Sequence, residues 1–294
     1  MQNSIISRIH SFFFPTYPNH THLYHPQKTS IIGKKINFVK VGNGPPIIFI
    51  HGWTNDWEGW IPVIPYLQSK FSVYLVDLPG FGHSDDLLNH NVEAAAKYLS
   101  LFIKKEIKKK TTVVGVSMGS FVATDMGIQS PQIIDKVILT GPVINNDGHH
   151  LFAKFFHIFL ILMNTNSITQ TVIKRIVETR AAAYFFGKYL NMYRFQKDIV
   201  DEYGMVGKQL VRKKVYLEMG ISATNYDLKT RLKEIRVPTL LIFGDRDRYA
   251  DIKHIKSKVL PINKLLKMKI IKDAGHVTPW EETEDVCRLI TTFK

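Results

Sequence analysis

Three residue types in this 294-residue chain could together break an acyl bond. Ser117 sits in "GVSMG" (115–119), with glycine two positions to either side. Four β-prone residues, Thr111 to Val114, precede Gly115, and a run of helical character follows the serine. His276 closes "KIIKDAGH", and an acid is offered by Asp245 and Asp247 in "GDRD" (244–247). Serine is a weak nucleophile at neutral pH and needs a base within hydrogen-bond reach. A histidine, titrating near working pH, supplies that base. A carboxylate then holds the imidazole tautomer and stabilises the imidazolium. The plainer alternatives are a tight strand–helix turn that happens to contain serine, and a histidine on a surface loop.

Such groups act only if a rigid frame brings them together. Apolar runs at "KINFVKVG" (35–42), "PPIIFIHG" (45–52), "FSVYLVDLPG" (71–80), "TTVVGVS" (111–117), "IDKVILTGPV" (134–143), "VPTLLIFGDRD" (237–247) and "LLKMKIIKDAGH" (265–276) predict strands. Helical periodicity at 91–109, after Ser117 to about Gln129, and at roughly 280–292 alternates with them. Continuous apolar runs mark strands buried on both faces, so the expected fold is α/β, a mostly parallel sheet flanked by helices. In such sheets functional groups gather at the carboxyl ends of strands. Ser117, the acid and His276 all fall there, in that chain order, and His51, Gly52 and Trp53 follow another strand. The rhythm breaks between 144 and 236, which predicts inserted helices. The expected organisation is an irregular arm over 1–30, an α/β core over 31–144 and 233–294, and a helical cap over 145–232.

The motifs resemble the α/β-hydrolase superfamily, in particular its cap-bearing serine esterases. Gly115-Val116-Ser117-Met118-Gly119 matches the strained G-x-S-x-G elbow, and Ser…Asp…His is that superfamily's order. "HGW" (51–53) resembles its oxyanion loop, "DLPGFGHS" (77–84) a run common in its capped members, "GDRD" its acid loop and "GH" (275–276) its histidine loop. Residues 51–85 are similar to the same region of pimeloyl-ester carboxylesterases, and "HGW" to that of cofactor-free haloperoxidases. The resemblance implies Ser117 as nucleophile, His276 as base and Asp247 as acid, with the backbone N–H groups of Trp53 and Met118 forming the oxyanion hole. Asp245 and Asp251 are near neighbours of Asp247, and Asp147 would be the acid if it followed the earlier strand. His51, His83 and Ser84 are expected to hold structure.

Serine at the elbow, where some relatives carry aspartate or cysteine, implies acyl transfer. The expected reaction is cleavage of a carboxylic ester or thioester of a small to medium apolar acyl group through an acyl-enzyme. The alternatives are a lipase- or lysophospholipase-like enzyme at an anionic membrane, and a C–C bond hydrolase. A non-catalytic binding protein of this fold would lack a triad residue. No cofactor or metal is expected; the N-terminal His10, His20, His22 and His25 match no metal spacing.

The net charge of +14 raises nucleic acid or an anionic surface as partners, but no nucleic-acid-binding motif is present. The run "KKEIKKK" (104–110) reads as a solvated helix end, and one cysteine, Cys287, allows no intrachain disulfide. The longest apolar stretch, 151–163, falls short of the ~20 residues that span a bilayer, so a cytoplasmic protein is expected. Within it Phe152, Phe155, Phe156 and Phe159 share one helical face. We expect this helix to pack over the core, one face lining the acyl pocket and another the domain interface, with peripheral contact at an anionic membrane, aided by Lys154, Lys174 and Arg175, as the alternative.

Overall fold

A computed structural model describes residues 20–144 and 150–294, the first four of the latter through their backbone. Eight strands form one sheet: β1 (Gln27–Ile31), β2 (Lys34–Val41), β3 (Pro46–Ile50), β4 (Ser72–Val76), β5 (Thr111–Val116), β6 (Ile134–Thr140), β7 (Thr239–Gly244) and β8 (Leu266–Ile271). Their spatial order is β1-β2-β4-β3-β5-β6-β7-β8. β2 pairs antiparallel with β1 and β4; every pairing from β4 to β8 is parallel.

All five residues of β3 and all six of β7 are buried, which is why their sequences are apolar throughout. Their side chains nevertheless alternate between two cores. Ile48 and Ile50 join Phe102, Phe121 and Val122 on one face; Ile47 and Phe49 join Trp57, Trp60 and Ile290 on the other. The first face is covered by α1 (Val92–Phe102) and α2 (Met118–Gln129), the second by the 3₁₀ stretch Trp57–Val63 and the C-terminal helix, Thr283–Thr292. Asn91 starts α1 by accepting a 2.7 Å hydrogen bond from the N–H of Ala94. The basic run after α1 is one π-helical turn, Ile103–Ile107, ended by Lys108 at φ +59°, and its lysines are exposed.

Of the stretch 1–30, residues 1–19 lie outside the described residues, and the last four enter β1 instead of an irregular arm. "QKTS" is polar because β1 is the sheet edge and mostly exposed, so it lacks the apolar signal of a buried strand. The hairpin to β2 turns at Ile32 and Gly33, both at positive φ, as a two-residue turn between twisted strands requires.

Between β6 and β7 the described chain is helical: α3 (His150–Met163), α4 (Ser167–Val177), α5 (Arg180–Phe186), α6 (Lys197–Tyr203), α7 (Val206–Leu210), α8 (Lys213–Thr224) and α9 (Leu228–Glu234). Val215, Leu217, Leu228 and Leu232 from α8 and α9 join the first core cluster. One side of α3 turns inward, and it takes only part of the phenylalanine face. Leu160 is buried, and Phe156 packs at right angles to the Trp53 ring, whereas Phe155 and Phe159 are exposed; the side chain of Phe152 lies outside the described residues. No described helix is long and apolar enough to cross a membrane.

Candidate active site

Ser117 stands between β5 and α2 at φ +52°, ψ −118°, a conformation that a side chain adopts only under strain. The strain is held by the neighbours. The Ser117 N–H donates to the Thr140 carbonyl on β6 at 3.0 Å, and the Ser120 hydroxyl to the Gly115 carbonyl at 3.0 Å. The turn is so tight that a Cβ at 115 would lie 2.2 Å from the Gly119 carbonyl oxygen, and one at 119 would lie 2.4 Å from that of Ile50. Glycine at both positions is therefore a steric requirement for bringing α2 against β3 and β5.

His276 Nε2 lies 2.9 Å from Ser117 Oγ, and its Nδ1 lies 3.1 Å from Asp247 Oδ2. With its proton on Nδ1, the ring donates to Asp247 and leaves Nε2 to accept from the serine. Asp247 is itself buried and takes a second bond, 2.9 Å, from the Tyr249 N–H, and the Tyr249 ring stands edge-on to the imidazole. The other acids point elsewhere. Asp245 pairs with Arg246, and Asp251 caps a short turn through the His254 N–H at 3.0 Å. Asp147 lies outside the described residues.

The loop carrying His276 is fixed from the inserted helices. The His276 N–H donates to the Asn191 carbonyl at 2.7 Å. Glu281 accepts from the N–H groups of Gly275, Tyr193 and Arg194 at 2.7–3.0 Å, and burial raises its pKa against those bonds. Glu281 escaped sequence reasoning because its partners are three backbone groups, which carry no residue-type signal.

Trp53 and Met118 face the same cavity as Ser117 and His276. Neither backbone N–H is engaged by another described group. The Trp53 ring is anchored away from them, stacked on Tyr216 at 4.5 Å with Nε1 donating to the Tyr216 carbonyl at 2.8 Å. His51 bridges backbone: Nδ1 meets the Gly52 carbonyl at 2.9 Å, and Nε2 accepts from the Leu78 N–H at 3.0 Å. Burial lowers its pKa to about 4, so it is neutral.

Behind this loop is a cluster of buried acids. The "DLPGFGHS" run wraps around its own first residue. Asp77 accepts from Asn37 Nδ2, the Trp57 N–H and the His83 N–H at 2.8–2.9 Å, while Ser84 Oγ donates to its carbonyl. Gly82, at φ +48°, passes so close that a Cβ would lie 2.2 Å from the carboxylate. Burial raises Asp77 to about 6 in spite of three donors, and raises Asp56 and Glu58 beside it. His20 meets Glu58 at 2.7 Å. Lys208, from α7, provides positive charge near Asp56, and burial lowers its pKa to about 8. His83 and Ser84 hold structure here, as expected of them, whereas Asp56, Glu58 and Lys208 belong to no sequence motif.

The cavity holds about 510 Å³ and is walled mainly by apolar groups, among them Phe121, Phe156, Val177, Ala183, Leu190 and Met192, with Lys208 and Arg248 as its cations. A wider groove of about 810 Å³, between 233–236 and 262–265, contains none of the motif residues. No group of three or more potential metal ligands occurs among the described residues.

The family model described as "alpha/beta hydrolase fold" matches residues 45–283. The pimeloyl-[acyl-carrier protein] methyl ester esterase of Legionella pneumophila (strain Corby) is 28% identical over 221 residues, covering 72% of this chain and 80% of the relative. A putative non-heme chloroperoxidase of Synechocystis sp. is 24% identical over 282 residues, covering 88% and 94%. Among solved structures, E-2-(acetamidomethylene)succinate hydrolase superposes with a TM-score of 0.72 at 18% identity, over 92% of this chain and 98% of its own.

Proposed function

The chain belongs to the alpha/beta hydrolase family, and from that premise we propose that it is a serine hydrolase cleaving carboxylic esters or thioesters of small to medium apolar acyl groups. One observation carries the proposal: His276 lies within hydrogen-bond distance of both Ser117 Oγ and Asp247 Oδ2, at the floor of an apolar cavity.

The reaction proceeds as follows. Ser117 Oγ attacks the acyl carbon as Nε2 of His276 takes its proton, and Asp247 steadies the imidazolium. The carbonyl oxygen becomes an oxyanion, met by the N–H groups of Trp53 and Met118; removing one such donor typically costs about 3–4 kcal/mol of transition-state stabilisation. Collapse expels the alcohol or thiol, which takes the proton from His276. Water then enters by the same general base and frees the acid. The helices between β6 and β7 serve as a cap, and Phe156, Val177, Ala183 and Leu190 shape the acyl site. The methyl ester in the name of the Legionella relative falls within this substrate class.

A fluorophosphonate probe tests the assignment together with a p-nitrophenyl ester series of rising acyl length. Labelling and turnover are expected in the wild type, with short to medium chains preferred, and both are expected to vanish in Ser117→Ala while its circular dichroism is unchanged. Turnover by a cleanly folded Ser117→Ala protein would overturn it.

A further inference from the structure

The outer faces of α3, α4 and α5 are apolar in a way that cavity and core do not explain. On α3, Phe155 is 63% exposed, with Ile158, Phe159 and Leu162 beside it at helical spacing. On α4, Ile168 is 77% exposed, and Val172 and Ile176 extend the same stripe. Phe185 and Tyr189 continue it past α5. The opposite faces are the ones turned inward, through Phe156 and Leu160 of α3, Lys174 and Val177 of α4, and Ala183 of α5. α3 packs on α4 and α4 on α5, so the three stripes adjoin. Scattered exposed apolar side chains are normal, but a run of this length over three neighbouring helices marks a contact surface.

Its charge tells what it meets. Residues 148–197 contain seven lysines and arginines and a single acid, Glu178, with Asp147 and Asp198 just outside; Arg180 and Lys197 pair with Asp201, and Arg194 with Asp273 and Glu282. Glu178 is already held by Lys174 and Arg175. Lys174 is not available, because its ammonium is buried and donates to Glu178 and to the carbonyls of Lys208 and Gln209. Lys154 and Lys188 are exposed, and the Arg175 side chain is 71% exposed. A second copy of a chain carrying +14 is repelled by this face. Broad apolar stripes bordered by cations, with almost no acid, complement a bilayer interface: apolar groups enter the headgroup–acyl boundary and cations meet anionic headgroups.

We propose that the outer face of α3, α4 and α5 docks on an anionic lipid bilayer. Phe186 is both exposed and part of the cavity wall, so docking brings the cavity to the lipid surface. The docking itself does not depend on the esterase assignment and is read by binding alone.

The test is co-sedimentation with sonicated vesicles, either pure phosphatidylcholine or phosphatidylcholine with one-third phosphatidylglycerol, at low and high salt. Binding is expected to the anionic vesicles only and to fall as salt rises. The Phe155→Asp/Val172→Asp and Lys154→Gln/Arg175→Gln double variants are each expected to partition about tenfold or more weakly. Hydrolysis of a soluble short-chain p-nitrophenyl ester should be unchanged in both, since none of these side chains lines the cavity. Absence of binding to either vesicle, or equal binding by the variants and the wild type, overturns the proposal. So does a stable dimer that the apolar double variant abolishes, or an acidic protein partner that displaces the vesicles from the same face.

Discussion

At the scale of the residue, the three groups proposed to react lie far apart in sequence and meet only at the ends of β5, β7 and β8. Ser117 and His276 were legible because each sits in a short motif after an apolar run. The choice among Asp245, Asp247 and Asp251 rested on family pattern, since three acids within seven residues look alike to composition. What separates them is direction: only Asp247 reaches the imidazole, while Asp245 and Asp251 serve local contacts. The consequence is measurable. Asp247→Asn should lower kcat for ester hydrolysis by roughly four orders of magnitude, because an amide favours the wrong histidine tautomer. Asp245→Asn should leave kcat within a few-fold of the wild type. Comparable loss from both variants would move the acid away from 247. Lys208 and Glu58 could not have been read from sequence, because a charged residue ordinarily marks solvent; their burial depends on α7 crossing the loop after β3, where Gly207 lies against Asn55 and Asp56.

At the scale of the element, strands buried on both faces announced themselves, whereas elements defined by weaker signals did not. β1 is a polar edge strand, and the Trp57–Val63 stretch is a 3₁₀ run with Pro62 inside it, so neither has a clean period of 2 or 3.6. On α3 the sequence showed apolar residues on more than one side without showing which side meets the core. The choice fell to Phe156 and Leu160, because Trp53 and α8 await them there. The elbow is the element where local sequence and tertiary packing agree most closely. Gly119→Ala places a Cβ 2.4 Å from the Ile50 carbonyl oxygen and 2.6 Å from that of His51, both backbone atoms that cannot turn aside. Relief requires α2 to move off β3, so we expect a loss of about 1–3 kcal/mol or more in unfolding free energy, by analogy with overpacked cores. Ester turnover should fall with it as Ser117 shifts. Chemical denaturation and steady-state kinetics on the same preparation would check both, and an unperturbed midpoint would mean that the turn has more room than its geometry shows.

At the scale of the whole molecule, the Asp77 cluster joins parts that are distant in the chain: β2 through Asn37, the 3₁₀ stretch through Trp57, the 77–84 loop through His83, and, through neighbouring Asp56, Lys208 of the inserted helices. This linkage makes stability depend on pH. Asp77 is raised by burial from 3.8 to about 6. Below about pH 4 the carboxyl is protonated in folded and unfolded chains alike, and its contribution to stability is complete. As pH rises through the window from about 4 to 6, the unfolded chain releases its proton while the folded one still holds it, so this contribution is progressively lost. Above about 6 both states are ionised and the loss is complete; Asp56, also raised, acts in the same direction. Asp77→Asn removes the titration but not the shape. It also takes away a second carboxylate oxygen, leaving one of three donors without its acceptor, at a cost of about 1–3 kcal/mol. The variant should therefore be less stable than the wild type by a margin that is widest near pH 4 and narrows by pH 7. Urea unfolding of both proteins at half-unit steps across that window measures the margin: titrations not coupled to Asp77 cancel in the difference, and the change at Asp56, which the Asp77 charge raises, adds to the same trend. A margin that is constant, or that widens with pH, would show that Asp77 is ionised in the folded chain from the start and that its three donors outweigh its burial.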